Sequence, residues 1–96
     1  MFRRKPKTRG FRLNCRCVSD AASSVLTDEQ VREALRRHER GDWGSVDKQT
    51  RRENDHSLEL GDGELMSIFE TKDGTQFIVC SSRFQTFATV KLIDEF

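Results

Sequence analysis

The sequence predicts an α+β domain in which two helices pack on a small antiparallel sheet, in the order β-α-α-β-β-β. Three stretches predict it. From Thr27 to Gly41 apolar side chains recur at helical spacing, between a capping signal and a glycine. From Glu64 to Ser81 the pattern changes to strands on either side of Lys72-Asp73-Gly74, and Asp-Gly is a strong short hairpin signal. Between them lies His38-Glu39-Arg40-Gly41-Asp42-Trp43-Gly44, which holds the only Trp and one of the two His.

Ninety-six residues suit one small domain. Apolar residues make up 34%, and even with the six Gly added they fall short of the usual ~45–50%, so the core is thin. A formal net charge of +1 hides an asymmetry. Arg3, Arg4, Lys5, Lys7, Arg9, Arg12 and Arg16 stand in the first seventeen residues without an acid, and the rest holds ten basic against sixteen acidic residues. A basic arm over residues 1–10, expected to be disordered, thus precedes a domain over residues 11–96. Such an arm can touch the phosphates of a nucleic acid or serve only as a solubilising tail. No apolar run is long enough for a membrane span or a secretion signal, so a cytoplasmic setting is expected. Cys15, Cys17 and Cys80 are odd in number and lack a framework spacing, which fits reduced thiols.

Taken in order, Phe11 to Cys17 alternates with period two and predicts a strand with Phe11, Leu13, Cys15 and Cys17 facing inward. Ser19 to Ser24 reads as a loop. Thr27 and Gln30 form a capping box, and the helix it opens puts Val31, Ala34, Leu35 and His38 on one stripe, with Glu33 and Arg37 paired at i,i+4. His38 continues an apolar face and is read as buried. Gly41 supplies the left-handed residue that ends the helix, and Asp42-Trp43-Gly44 makes a turn from which Trp43 reaches back. Ser45 is expected to cap a second helix, Val46 to Leu60, whose weaker stripe is Val46, Thr50, Asn54 and Leu58. Asn54 on that inner face needs partners, and the Trp43 turn and His38 are the nearest in sequence. Strands over Glu64–Thr71, Thr75–Ser81 and Phe84–Ile93 complete an antiparallel meander. Its middle pair is apolar on both faces, which predicts self-association or docking over the face the helices leave uncovered.

Chemistry-bearing residues are few. Cys15, Cys17, Cys80 and His38 would supply a Cys3His zinc set, but Cys-x-Cys is not the usual knuckle spacing, and neither metal nor cofactor is expected. His38 and Asp42 could pair as imidazole and carboxylate with Cys80 or Ser81 as nucleophile. No Gly-rich elbow precedes either residue, so His38 reads as a core histidine and Asp42 as a turn residue. The structural set is therefore His38, Gly41, Asp42, Trp43, Gly44 and Asn54.

From Phe11 to Phe96 the chain resembles a family of small proteins of plasmids, phages and integrated elements, often labelled plasmid-related proteins. The resemblance lies in Arg37, His38, Gly41, Asp42, Trp43 and Gly44, then Asp47 and Asn54, Ser67 and Phe69, and Thr89, Leu92, Glu95 and Phe96. The family's Asp-Arg pair before the final strand has no clear counterpart, and Ile93 stands where the family has Pro. The resemblance implies a mobile genetic element and no particular reaction. It makes a non-enzymatic inhibitor of a host defence complex, of the anti-CRISPR or anti-restriction type, the leading expectation. The partner would be a host protein or nucleoprotein complex, blocked by occlusion. A nucleic-acid-binding accessory protein using the basic arm is the alternative, and a small enzyme centred on His38 and Asp42 is third.

Overall fold

A computed structural model describes residues 15–60, 63–82 and 87–95, with the side chain of Cys15 left out. The elements run β1 (Cys15–Val18), α1 (Asp20–Val25), α2 (Asp28–Glu39), α3 (Lys48–Leu60), β2 (Glu64–Glu70), β3 (Gln76–Ser82), β4 (Phe87–Leu92) and a short 3-10 turn (Ile93–Glu95). The sheet order is β1-β4-β3-β2, with β2, β3 and β4 an antiparallel meander and β1 added parallel to β4 at the edge. The α+β class and the meander are as the sequence predicts. The basic arm over 1–10, and Phe11, Arg12 and Leu13, lie outside the described residues.

Several expectations need correction. The stretch read as a loop holds a helix, α1, because Ser19 caps it: the Ser19 hydroxyl accepts the Ala22 N–H, which leaves Ala22 buried on the sheet. The first strand also faces the other way. Arg16 and Val18 pair with Ala88 and Val90 on the helix-covered face, whereas Cys17 pairs with Thr89 and is exposed. The strand runs on to Val18, and a β-branched apolar residue gains more from burial than Cys17 does. Finally, Asp47 and not Ser45 caps α3, accepting the Thr50 N–H at 2.8 Å, while the Ser45 hydroxyl donates to the Ile68 carbonyl.

The predicted capping box of α2 is present, with the Thr27 N–H donating to Gln30 Oε1 at 2.8 Å and the Gln30 N–H to Thr27 Oγ1 at 3.0 Å. Glu33, expected to pair with Arg37, instead holds Arg36 at 3.0 Å. At the other end Gly41, with φ 83°, lets its own N–H reach the His38 carbonyl and the Asp42 N–H reach that of Arg37, the paired bonds of a Schellman cap.

All three helices lie on one sheet face. Ala22, Leu26, Val31 and Ala34 pack with Phe69, Phe77, Val79, Ala88 and Val90 in one cluster, and Trp43, Val46, Leu58 and Leu65 form a second. On the opposite face Ile78 is only 3% exposed, and Met66, Ile68 and Cys80 are half-buried. The broad apolar face expected to drive self-association is therefore not laid open at its centre. Among the described residues the large apolar side chains left exposed are Val25, Leu60 and Phe87.

The outer edge of β2 is closed by the chain itself. Trp43 O accepts the Ile68 N–H and the Ser45 N–H donates to the Ile68 carbonyl, a parallel bridge centred on Gly44. One pleat along, Asn54 Nδ2 donates to the Met66 carbonyl at 2.7 Å and Oδ1 accepts the Met66 N–H at 3.1 Å. Asn54 thus finds its partners on β2 and not in the Trp43 turn or His38, because a carboxamide presents one donor and one acceptor at the spacing of a backbone unit. Asn54→Leu is expected to cost about 1–3 kcal/mol in chemical denaturation, since it strands two edge groups beneath a helix.

Candidate functional site

The string around Trp43 is assembled by the end of α2, the turn after it and β2. His38, fully buried, is gripped from both sides: Nδ1 lies 2.6 Å from Ser67 Oγ and Nε2 2.8 Å from Ser81 Oγ. A neutral imidazole has one donor and one acceptor nitrogen, so one hydroxyl donates to the ring and the other accepts from it. Ser67 lies between Leu65 and Phe69 on β2, which belong to different apolar clusters, so this polar chain follows the seam between the two cores.

Trp43, 4% exposed, meets the His38 ring edge-on with centroids 5.5 Å apart, and its indole N–H donates to Asp55 of α3 at 2.9 Å. Asp42 is bound to Arg37, with Nε donating to Oδ2 at 2.8 Å and Nη2 to Oδ1 at 3.4 Å, and Oδ1 also accepts the Gly44 N–H. The Arg37 hydrogen bond, helped by Gly44 and opposed by partial burial, holds the Asp42 carboxyl below its ordinary value. Each residue of the structural set is thus placed in one junction, but its members bond outward to α3, β2 and β3 more than to one another.

Burial lowers the pKa of His38 to about 4. Its folded value lies below the unfolded ~6.5, so the stability this supplies is present above pH 6.5 and is lost as pH falls toward 4. Unfolding free energy should decline by roughly 1 kcal/mol between pH 6 and 5, read by urea titration. A flat profile there would mean that the imidazolium is accommodated in place.

The enzyme constellation is only half assembled. His38 does meet Ser81, but Ser67 and not a carboxylate occupies the other ring nitrogen, and Ser81 is 7% exposed. Asp42 is turned to Arg37. Cys80 projects from the face opposite Ser81, and burial, then Glu64, raises its thiol pKa. Cys17 and Cys80 therefore lie across the sheet from His38, and among the described residues no three His, Cys, Asp or Glu side chains converge to hold a metal. Of the basic set, Arg16 is exposed on β1, and Arg3, Arg4, Lys5, Lys7, Arg9 and Arg12 fall outside the described residues. No helix among the described residues is long and apolar enough to cross a membrane.

What the junction does leave open is a groove of about 790 Å³ between α2 and the β2–β3 turn. Ala34, Phe69 and Phe77 lie beneath it but are only 3–4% exposed, and Val25, 54% exposed, stands at its rim. Arg32, Arg36 and Arg37 line the helix side, with Glu29 and Glu33, and Glu70, Lys72 and Asp73 line the hairpin side. The Arg37 guanidinium carbon stands 4.5 Å from the Phe69 ring centroid, so Asp42 and Phe69 together fix it at the groove wall. The sequence pattern does not single out this role for Arg37, which depends on the β2 strand arriving beneath the helix.

Comparison of the chain with models of known protein families, with curated proteins and with solved structures finds no match.

Proposed function

We propose that the protein is a non-enzymatic binding protein of a mobile genetic element that inhibits a host defence complex, of the CRISPR or restriction type, by occluding one of its working surfaces. The observation that carries the binding part is a contrast. Among the described residues the imidazole that meets a serine hydroxyl is sealed in the core, whereas the open groove carries an arginine fixed between Asp42 and the Phe69 ring. Arg is enriched among the anchors of protein interfaces, and one already fixed at a concave surface has little conformational freedom to lose on binding. The defence target rests on the resemblance to plasmid and phage proteins.

The test is to express the protein in cells whose CRISPR or restriction system excludes a given phage, and to count plaques. Recovery of plaques by two or more orders of magnitude is the expected result. Unchanged exclusion across a panel of such systems would sink the inhibitor reading.

A further inference from the structure

We infer that His38 is an acid-sensitive latch: protonation of its ring releases residues 42–60, the Trp43 turn with α3, from the sheet, while α1, α2 and the strands stay together. The ring is fully buried in the seam between the two apolar clusters, with Nδ1 2.6 Å from Ser67 Oγ and Nε2 2.8 Å from Ser81 Oγ. As a neutral ring it accepts from one hydroxyl and donates to the other. An imidazolium donates from both nitrogens, so the hydroxyl that had donated must turn its proton elsewhere. Neither serine carries a charge to offset the new one. The charged groups on the surrounding elements are engaged or turned away. Arg37 of α2 holds Asp42 of the turn, and Asp55 of α3 accepts the Trp43 indole N–H. Glu39 and Arg40 follow His38 at about 100° and 200° round the helix axis. Glu64, Glu70, Cys80 and Lys91 alternate onto the other face of the sheet.

The weaker wall of the seam is the one that residues 42–60 supply. On the other side Val31 and Ala34 anchor α2 in the larger cluster, among Phe69, Phe77, Val79, Ala88 and Val90. Residues 42–60 bring Trp43, Val46 and Leu58 to the smaller cluster, where the sheet adds Leu65 and the half-buried Ile68. Their polar hold on β2 is the Gly44 bridge to Ile68 and the Asn54 pair to Met66. Gly41 at φ 83° and Gly63 at φ 90° bound the segment, each free to turn without a Cβ. Releasing this unit exposes less apolar surface than unfolding the chain, so it is the smaller opening that lets water reach the ring. The same movement takes Asp42 from Arg37 and bares the edge of β2, so acid undoes the groove wall as well.

Amide hydrogen exchange of the full chain, corrected for the intrinsic pH dependence of each amide, reads the opening. Burial holds the folded ring at about 4 and a released one titrates at ~6.5, so opening should become about twentyfold more frequent from pH 7 to pH 5. The Leu58, Met66 and Ile68 amides should lose protection by that factor. At pH 5 they should be less protected than those of Val79 and Val90 by roughly tenfold or more. His38→Gln keeps a donor and an acceptor without a titrating charge and should remove the pH dependence. His56→Gln, at the exposed imidazole of α3, should leave it intact. Equal protection of all five amides at pH 5 would mean that His38 is released only when the whole chain unfolds, and overturns the proposal. So does protection that does not change with pH, a dependence that persists in folded His38→Gln, or one that is lost in His56→Gln. Should His38→Gln fail to fold, the exchange pattern of the parent and of His56→Gln decides the matter.

Discussion

Trp43→Ala is expected to remove about 3–5 kcal/mol of stability, the usual range for truncating a core aromatic. The indole is 4% exposed, packs with Val46, Leu58 and Leu65, meets the His38 ring and satisfies Asp55 through its N–H. Its loss would open a cavity where the turn after α2, the helix α3 and the strand β2 come together. Small domains are stable by about 5–15 kcal/mol in all, and a thin core puts this one toward the low end. The mutant should therefore lose most of its cooperative thermal transition. A melting temperature within a few degrees of the parent would show that Trp43 packs far less tightly than its burial indicates.

Gly44→Ala should be nearly as damaging, for a different reason. Gly44 has φ +73°, and a Cβ there would stand 2.0 Å from the Ile68 carbonyl oxygen and 2.9 Å from the Phe69 ring. The first of these is backbone and cannot swing aside. The turn would have to withdraw from β2, giving up the Ser45 and Ile68 hydrogen bonds of the bridge and uncovering the sheet edge. Two such bonds at ~1 kcal/mol each, the left-handed conformation at ~1–2 kcal/mol for a residue with a Cβ, and the displacement of Trp43 next door bring the cost to about 3–5 kcal/mol. Chemical denaturation measures it, and hydrogen exchange at the Ile68 amide should accelerate in step. Protection of that amide in a folded Gly44→Ala protein would refute the close approach.

Much of the junction could be read from the residues before any coordinates. His38 stands on the apolar stripe of its helix, Ser67 between Leu65 and Phe69, and Ser81 two places after Val79, so three polar groups occupy inward-facing positions in a core that cannot leave them unpaired. That they would satisfy one another is implicit in the pattern, but a reading confined to neighbours in sequence brings Ser81 to His38 only as a candidate nucleophile and does not bring Ser67 to it at all. The same confinement misassigned Asn54, whose partner is the backbone of Met66. Backbone acceptors carry no residue identity and leave no trace in a sequence.

The elements whose signals are local were determined by the sequence alone: the capping box and glycine stop of α2, the Asp-Gly hairpin, the meander and the burial of His38 and Trp43. Each depends on residues within a few positions, where steric and hydrogen-bonding preferences act without help from the rest of the chain. Tertiary structure decided the rest. It turned the first strand over so that Val18 met Val90, made a helix of a serine-rich stretch by closing Ser19 against Ala22 and Glu95, and set Phe69 beneath Arg37 to form the wall of a groove. Those outcomes depend on which surfaces are left to bury once the local elements exist. The burial term is roughly proportional to area and indifferent to sequence distance, so it could settle them only in the assembled fold.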